Sequence, residues 1–186
     1  MAKSIKISTG KVRLSYANVW EPKPDQSGRE KFSVSLIIPK GSATEAKIKQ
    51  AIKALREDPE AKQVWGGKTA GIRIPLRDGD VDREGDPAYE NMMFLNANSP
   101  ASHPPRIVDK NKNEILDHSE VYSGCYAQAV ITLFAYNSNG NKGIGVGLGG
   151  IRKLSDGEPL TSALVTDTDF EDLGDDEEDE DDIFGD

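Results

Sequence analysis

Apolar and polar residues alternate with period two through much of the chain, the pattern of strands with one covered face and one open face. From Ile5 to Val19, Val12, Leu14 and Tyr16 alternate with Lys11, Arg13 and Ser15, so a long first strand is expected, bent or bulged at Gly10. Glu21 to Gly28, with Pro22 and Pro24, reads as a turn or loop. Lys31 to Ile38 sets Phe32, Val34, Leu36 and Ile38 on one side and Lys31, Ser33 and Ser35 on the other, and Pro39 ends it. The period then changes. Ser42-Ala43-Thr44-Glu45 is a capping box, and Ile48, Ala51, Ile52 and Leu55 follow at helical spacing, which predicts a helix to about Glu57.

Further along, Ile72 to Leu76 is expected as a short strand, Asp78 to Asp86 as a polar loop, and Met92 to Ala97 as a strand. An extended connection, Ser99 to Pro105, and a hairpin, Arg106 to Leu116, follow. Ser123 to Tyr136 and Lys142 to Leu154 read as long strands joined at Asn139-Gly140, the strongest short-range hairpin signal. In the second of these, Ile144, Val146 and Leu148 alternate with Gly143, Gly145, Gly147 and Gly149. The fold class expected is mainly β: a small, five-stranded antiparallel barrel with one inserted helix.

Composition narrows the function classes. The 186 residues include one cysteine, too few for an internal disulfide or a four-ligand zinc site. No apolar run is long enough to span a membrane, and Met1-Ala2-Lys3-Ser4-Ile5-Lys6 is not followed by an apolar signal core. A soluble protein of the reducing cytoplasm, without a membrane partner, is the expectation.

The formal net charge of -9 argues at first against nucleic acid. Its distribution reverses the argument. Residues 167–186 hold 13 of the 32 acids and no base, so the 23 bases outnumber the remaining acids by four in residues 1–166. Met1 to Lys68 alone carries 14 bases and 7 acids. A folded domain over 1–166 and a disordered acidic tail over 167–186 are therefore expected. The tail, interrupted by Phe170 and Ile183-Phe184, can dock on the basic body at the high effective concentration that tethering gives. Asp179, Glu180, Asp181, Asp182 and Phe184 are its candidate gating or partner-docking residues.

Several motifs dissolve on inspection. Gly145, Gly147 and Gly150 satisfy G-x-G-x-x-G, but they lie in a period-two strand with no amphipathic helix after them. A strand whose bare face admits another backbone is the alternative. Asp78 to Asp86 resembles a calcium loop, yet Arg83 and Tyr89 occupy the positions that need glycine and glutamate. His103, His118 and Cys125 lack the surroundings of a nucleophilic pair, and Cys125 in a strand is expected to be a buried, inert thiol. No catalytic residue, metal or cofactor is assigned.

What remains is basic residues interleaved with aromatics, the chemistry of a single-strand groove: cations for phosphates and ring faces for bases. Strand parity buries Phe32, turns Lys31 outward, sets Tyr16 with Val12 and Leu14 unless a bulge intervenes, and leaves Tyr126 a candidate for exposure. Arg13, Lys31, Arg73 and Arg77 are the expected phosphate contacts, and Trp20, Tyr122 and Tyr126 the expected stacking residues.

Seven blocks, in order, resemble the phage-encoded single-stranded DNA-binding proteins with an acidic C-terminal tail. They are Leu14–Pro22, Lys31–Lys40, Pro75–Asp80, Phe94–Ala97, Pro105–Asp109, Glu120–Tyr126 and Phe134–Asn137. The resemblance implies an OB-fold, single-stranded DNA as partner, a role in replication or recombination, and a tail that guards the groove and recruits replication proteins. Gly185-Asp186 after Phe184 departs from tails that end on an aromatic residue, which favours electrostatic gating over recruitment. The sequence is compatible with a homo-oligomer. The alternative reading is an acidic-tailed interaction module or chaperone for basic proteins; a metal-dependent nuclease has nothing in the sequence to favour it.

Overall fold

The computed structural model describes residues 4–160, so the acidic tail and its candidate residues lie outside the described residues. Eight strands and three helices follow in the order β1 (Ser4–Ser8), β2 (Val12–Pro24), β3 (Glu30–Pro39), α1 (Ala43–Glu57), α2 (Pro59–Val64), β4 (Arg77–Asp78), α3 (Gly79–Asp82), β5 (Met92–Pro100), β6 (Arg106–Val108), β7 (Tyr126–Ser138) and β8 (Asn141–Ser155). The fold is mainly β, as expected. Five strands form a ring, β2 to β3, β5, β8, β7 and back to β2, with β1, β4 and β6 added outside it.

The ring is OB-like but not a clean barrel. Two closures are thin: β2 meets β7 through Val12–Ala127 and Arg13–Tyr126, and β5 meets β8 through the single pair Asn98–Gly147. That last pairing is parallel, as is β6 with β8, whereas hairpin turns between neighbouring runs predict antiparallel pairs only. Parallel neighbours need a long crossover, and the chain between β5 and β8 supplies it.

Alternation explains the core. Val12, Leu14, Val34, Leu36, Ala127, Ile131, Leu133, Ile144, Val146 and Leu148 are all buried inside the ring. α1 packs against β1, β3 and β7 with Ile48, Ile52 and Leu55, of which Ile48 and Leu55 are fully buried; each such burial stabilises by about 1.5–3 kcal/mol. Ser42 caps α1 by accepting from the Glu45 N–H at 3.3 Å, and the Glu45 carboxylate accepts from the Gly41 N–H at 3.1 Å.

Local chemistry accounts for the departures from the expected elements. The first strand divides at Gly10, whose N–H donates to Thr44 Oγ1 at 2.8 Å and so turns the chain toward α1. A second helix, α2, was not expected; Asp58 caps it from the Ala61 N–H at 2.9 Å, with Pro59 in its first turn. Residues 72–76 make only an isolated bridge, Arg73–Gly143, because Pro75 has no N–H to donate, and the pairing resumes as β4 on β5.

No described helix is long and apolar enough to cross a membrane.

Candidate nucleic-acid interface

The register produces a transverse row of small or polar residues across six strands. Asn18 of β2 pairs with Ser33 of β3, Ser33 with Asn98 of β5, Asn98 with Gly147 of β8, Gly147 with Thr132 of β7, and Thr132 with Lys6 of β1. They alternate with the buried Val34, Ala97, Val146, Leu133 and Ile7, which sets the row on the side of the sheet opposite the core. A neighbouring row holds Ser35 opposite Asn96, and Gly145 opposite Phe134. Asn96, Asn98 and Phe134 are exposed. An open polar face with bare glycine positions lets an extended polymer approach the backbone closely.

A cleft of about 460 Å³ opens on this face. Lys31 and Asn98 line one part of it, Arg73, Pro75 and Arg77 another, and Phe134, Tyr136 and Gly145 a third. The wall that carries Arg73 is fixed from below. Trp65, fully buried at the end of α2, donates its indole N–H to the Gly143 carbonyl at 2.9 Å. Lys142 Nζ donates to the Trp65 carbonyl at 2.9 Å, and Asn137 Nδ2 to that of Val64 at 3.1 Å. The Arg73 N–H then donates to Lys142 O at 2.8 Å, and the Ile144 N–H to Arg73 O at 3.0 Å. The inserted helices thereby seat the 72–77 segment beside β8.

Three of the four expected phosphate residues meet in this cleft. Lys31 pairs with Asp25 at 3.1 Å and Arg77 with Asp82 at 3.6 Å, both half-exposed, while Arg73 is exposed with no ion pair among the described residues. Solvent-exposed pairs of this kind contribute little, so phosphates can displace them. Hydrogen bonds from Ser27 and from Lys31 hold the Asp25 carboxyl well below the ordinary carboxylate range.

Arg13 lies elsewhere. Its Nε donates to Gly124 O at 3.0 Å and its Nη2 to Glu158 O at 2.6 Å, and its guanidinium stands 5.5 Å from the Tyr126 ring. Tyr126 also has Lys11 Nζ 4.7 Å from its ring centroid, and with Lys11 and Arg13 it lines a separate, smaller cleft. Tyr126 is half-buried. Trp20 is stacked on His118, centroids 4.1 Å apart and planes 8° apart, and donates its indole N–H to Val121 O at 3.0 Å. The Tyr122 hydroxyl lies 3.2 Å from Asp156 Oδ1 and accepts from the Gly157 N–H at 3.1 Å, with Lys153 Nζ 5.5 Å from the ring. The structure thus gathers Lys31, Arg73 and Arg77, and leaves Arg13, Trp20, Tyr122 and Tyr126 outside that cleft in internal contacts.

The cleft's aromatics are ones the strand pattern did not single out. Phe134 and Tyr136 share the outer face of β7 with Tyr126, Gln128 and Thr132. The signal was present in the glycine alternation of β8: a residue without a side chain at Gly145 makes room for a ring on the neighbouring strand.

No cluster of three or more potential metal ligands exists among the described residues. Lys40 bridges Asp78 and Asp80 at 2.8 and 2.6 Å, which lowers both carboxyls and raises the lysine. Cys125 is fully buried, and burial pushes its thiol up, away from the reactive thiolate.

The family described as Enterobacter phage Enc34, ssDNA-binding protein, matches residues 5–184. Protein p50 of Acyrthosiphon pisum secondary endosymbiont phage 1 is 30% identical over 191 aligned positions, covering 95% of this chain and 98% of the relative. The single-stranded DNA-binding protein of bacteriophage Enc34 in complex with ssDNA superimposes with a TM-score of 0.71 at 27% identity, covering 85% of this chain and 89% of that one. The bacteriophage T7 single-stranded DNA-binding protein gp2.5 shares the fold, with a TM-score of 0.60 at 13% identity over 90% of this chain and 93% of that one.

Proposed function

The chain belongs to the family of the Enterobacter phage Enc34 ssDNA-binding protein, and from that premise we propose that it binds single-stranded DNA in the cleft of Lys31, Arg73 and Arg77, largely without regard to sequence. It is a binding protein and not an enzyme. The observation that carries the site is the meeting of those three cations with Phe134 and Tyr136 beside the row Asn18, Ser33, Asn98, Gly147, Thr132. Cations hold phosphates and rings stack bases at about 1–3 kcal/mol each, contacts that every base sequence offers.

Residues 1–166 are the binding unit in this reading, and 167–186 a tail whose 13 acids compete with DNA for the basic face. Recruitment of replication or recombination proteins through the tail, in the cytoplasm of the host cell, belongs to the same proposal. Competition among single-stranded DNA, duplex DNA and RNA for a labelled oligonucleotide, followed by fluorescence anisotropy, tests both parts. Preference for the single DNA strand, with affinity falling as salt rises, is expected, together with tighter binding after removal of 167–186. Salt-independent or absent binding overturns the function; equal affinity of the tailless chain overturns the gating.

A further inference from the structure

Resting on the single-strand reading, we infer that Tyr16 is a base-stacking platform on the β2 side of the groove, and that Arg83 is the positioning residue that braces its ring. Tyr16 is the first residue of a bulge. Between the pairs Ser15–Ser35 and Asn18–Ser33, β2 carries Tyr16 and Ala17 where β3 carries only Val34. The bulge reverses parity: Val12 and Leu14 face the core before it and Val19 after it, and Tyr16 emerges 59% exposed.

The backbone there is unusual for tyrosine. Tyr16 has a φ of 46°, the left-handed region that suits glycine or asparagine and strains other residues. A large ring left mostly in solvent on a strained backbone is outside the buried core, and such outliers gather at ligand sites. Its backbone adjoins one end of the transverse row, since Asn18 Nδ2 reaches both the Tyr16 carbonyl oxygen at 3.3 Å and Ser33 Oγ at 3.4 Å.

Arg83 comes from the loop after α3. Its guanidinium carbon stands 5.6 Å from the Tyr16 ring centroid, 5.8 Å from that of Tyr89 and 5.4 Å from that of Phe94. Tyr89 and Phe94 are buried and pack edge to face, 5.1 Å apart, so they are a fixed base for the guanidinium. Arg83 Nε is buried without a hydrogen-bond partner among the described residues, and no carboxylate there pairs with the side chain. The cation is committed to ring faces rather than to a salt bridge. One side of Tyr16 is thereby supported while the exposed remainder is open to a base.

The test uses the full chain. An oligonucleotide carrying 5-iodouracil is irradiated in the complex and the adducts are mapped by mass spectrometry; Tyr16 is expected among them. Tyr16→Asn keeps a residue that accepts the left-handed backbone and removes the ring, and should weaken binding roughly five-fold or more with the salt slope unchanged. Tyr16→Trp should restore affinity to within about two-fold of the parent, since any aromatic face stacks. Arg83→Gln should weaken binding with an unchanged slope; a slope reduced by about 0.7 shows instead that Arg83 contacts phosphate, and overturns the bracing role. Parent binding that is intact, together with no Tyr16 adduct and an unaltered Tyr16→Asn variant, overturns the platform alone. Failure of the parent chain to bind at all overturns the function on which it rests.

Discussion

The Phe134 ring lies against the bare Cα of Gly145 on the neighbouring strand: a Cβ at that glycine would stand 2.5 Å from the ring's Cζ. The two residues are register partners, and the absence of a side chain on β8 is what lets the ring lie over the cleft floor. Gly145→Ala is expected to push the exposed ring aside at little cost, changing stability by less than about 1 kcal/mol. Affinity for single-stranded DNA should nevertheless fall about five-fold, the value of one modest stack. Thermal melting and anisotropy on the same preparation check the two halves.

Gly143 gives the contrasting outcome. A Cβ there meets Arg73 Cβ at 2.8 Å and Arg73 O at 2.9 Å, so the obstacle is backbone and cannot swing away. Gly143→Ala should cost roughly 1–3 kcal/mol in chemical denaturation and displace the wall that carries Arg73.

Arg73 is the exposed cation of the cleft with no carboxylate partner among the described residues. Arg73→Gln should lower the slope of log affinity against log salt by about 0.7, the counterions of one phosphate on a single strand, for every sequence tested. Oligonucleotide titrations across a range of salt concentrations measure it.

Arg13 should behave as a structural residue. Its guanidinium ties the Gly124 and Glu158 carbonyls, joining β2 to the segments before β7 and after β8. Arg13→Gln is expected to lower stability by about 1–3 kcal/mol, the range for losing hydrogen bonds from a charged donor, and to leave the salt slope as it was.

The Asp25 carboxyl, lowered by hydrogen bonds from Ser27 and then from Lys31, gives an acid-side expectation. Its folded value lies below the ordinary aspartate value of about 3.9, so its contribution to the turn is complete above that pH and is lost as pH falls through the folded value. A carboxyl carbon NMR titration should show a midpoint below that of an unstructured aspartate, and Ser27→Ala should raise it.

Much of this was legible in the chain. The Ser42–Glu45 cap, the outward parity of Lys31, and the turn at Asn139-Gly140, with φ of 52° and 89°, follow from local rules because their determinants are a few residues apart. Tyr16 was not legible with certainty, since an inserted residue shows only when the partner strand is known; the one hint is that Val19 breaks the parity of Val12 and Leu14. Trp20 offered an aromatic face by composition, but His118, distant in sequence, stacks on it. Phe134 carried the opposite ambiguity: an apolar ring on a mixed face goes inside or outside according to what lies opposite, and here that is Gly145.

A second basic surface competes for the strand. Lys49, Lys53, Arg56 and Lys62 of α1 and α2 line a second cleft that shares no lining residue with the cleft of Lys31, Arg73 and Arg77. Backbone amide NMR spectra, recorded as an oligothymidine is added to the full chain, report which face the strand occupies. The largest shifts are expected at Lys31, Ser33, Asn96, Asn98, Gly145 and Gly147. Shifts confined to Lys49, Lys53, Arg56 and Lys62, with the polar row unmoved, would contradict the proposed site.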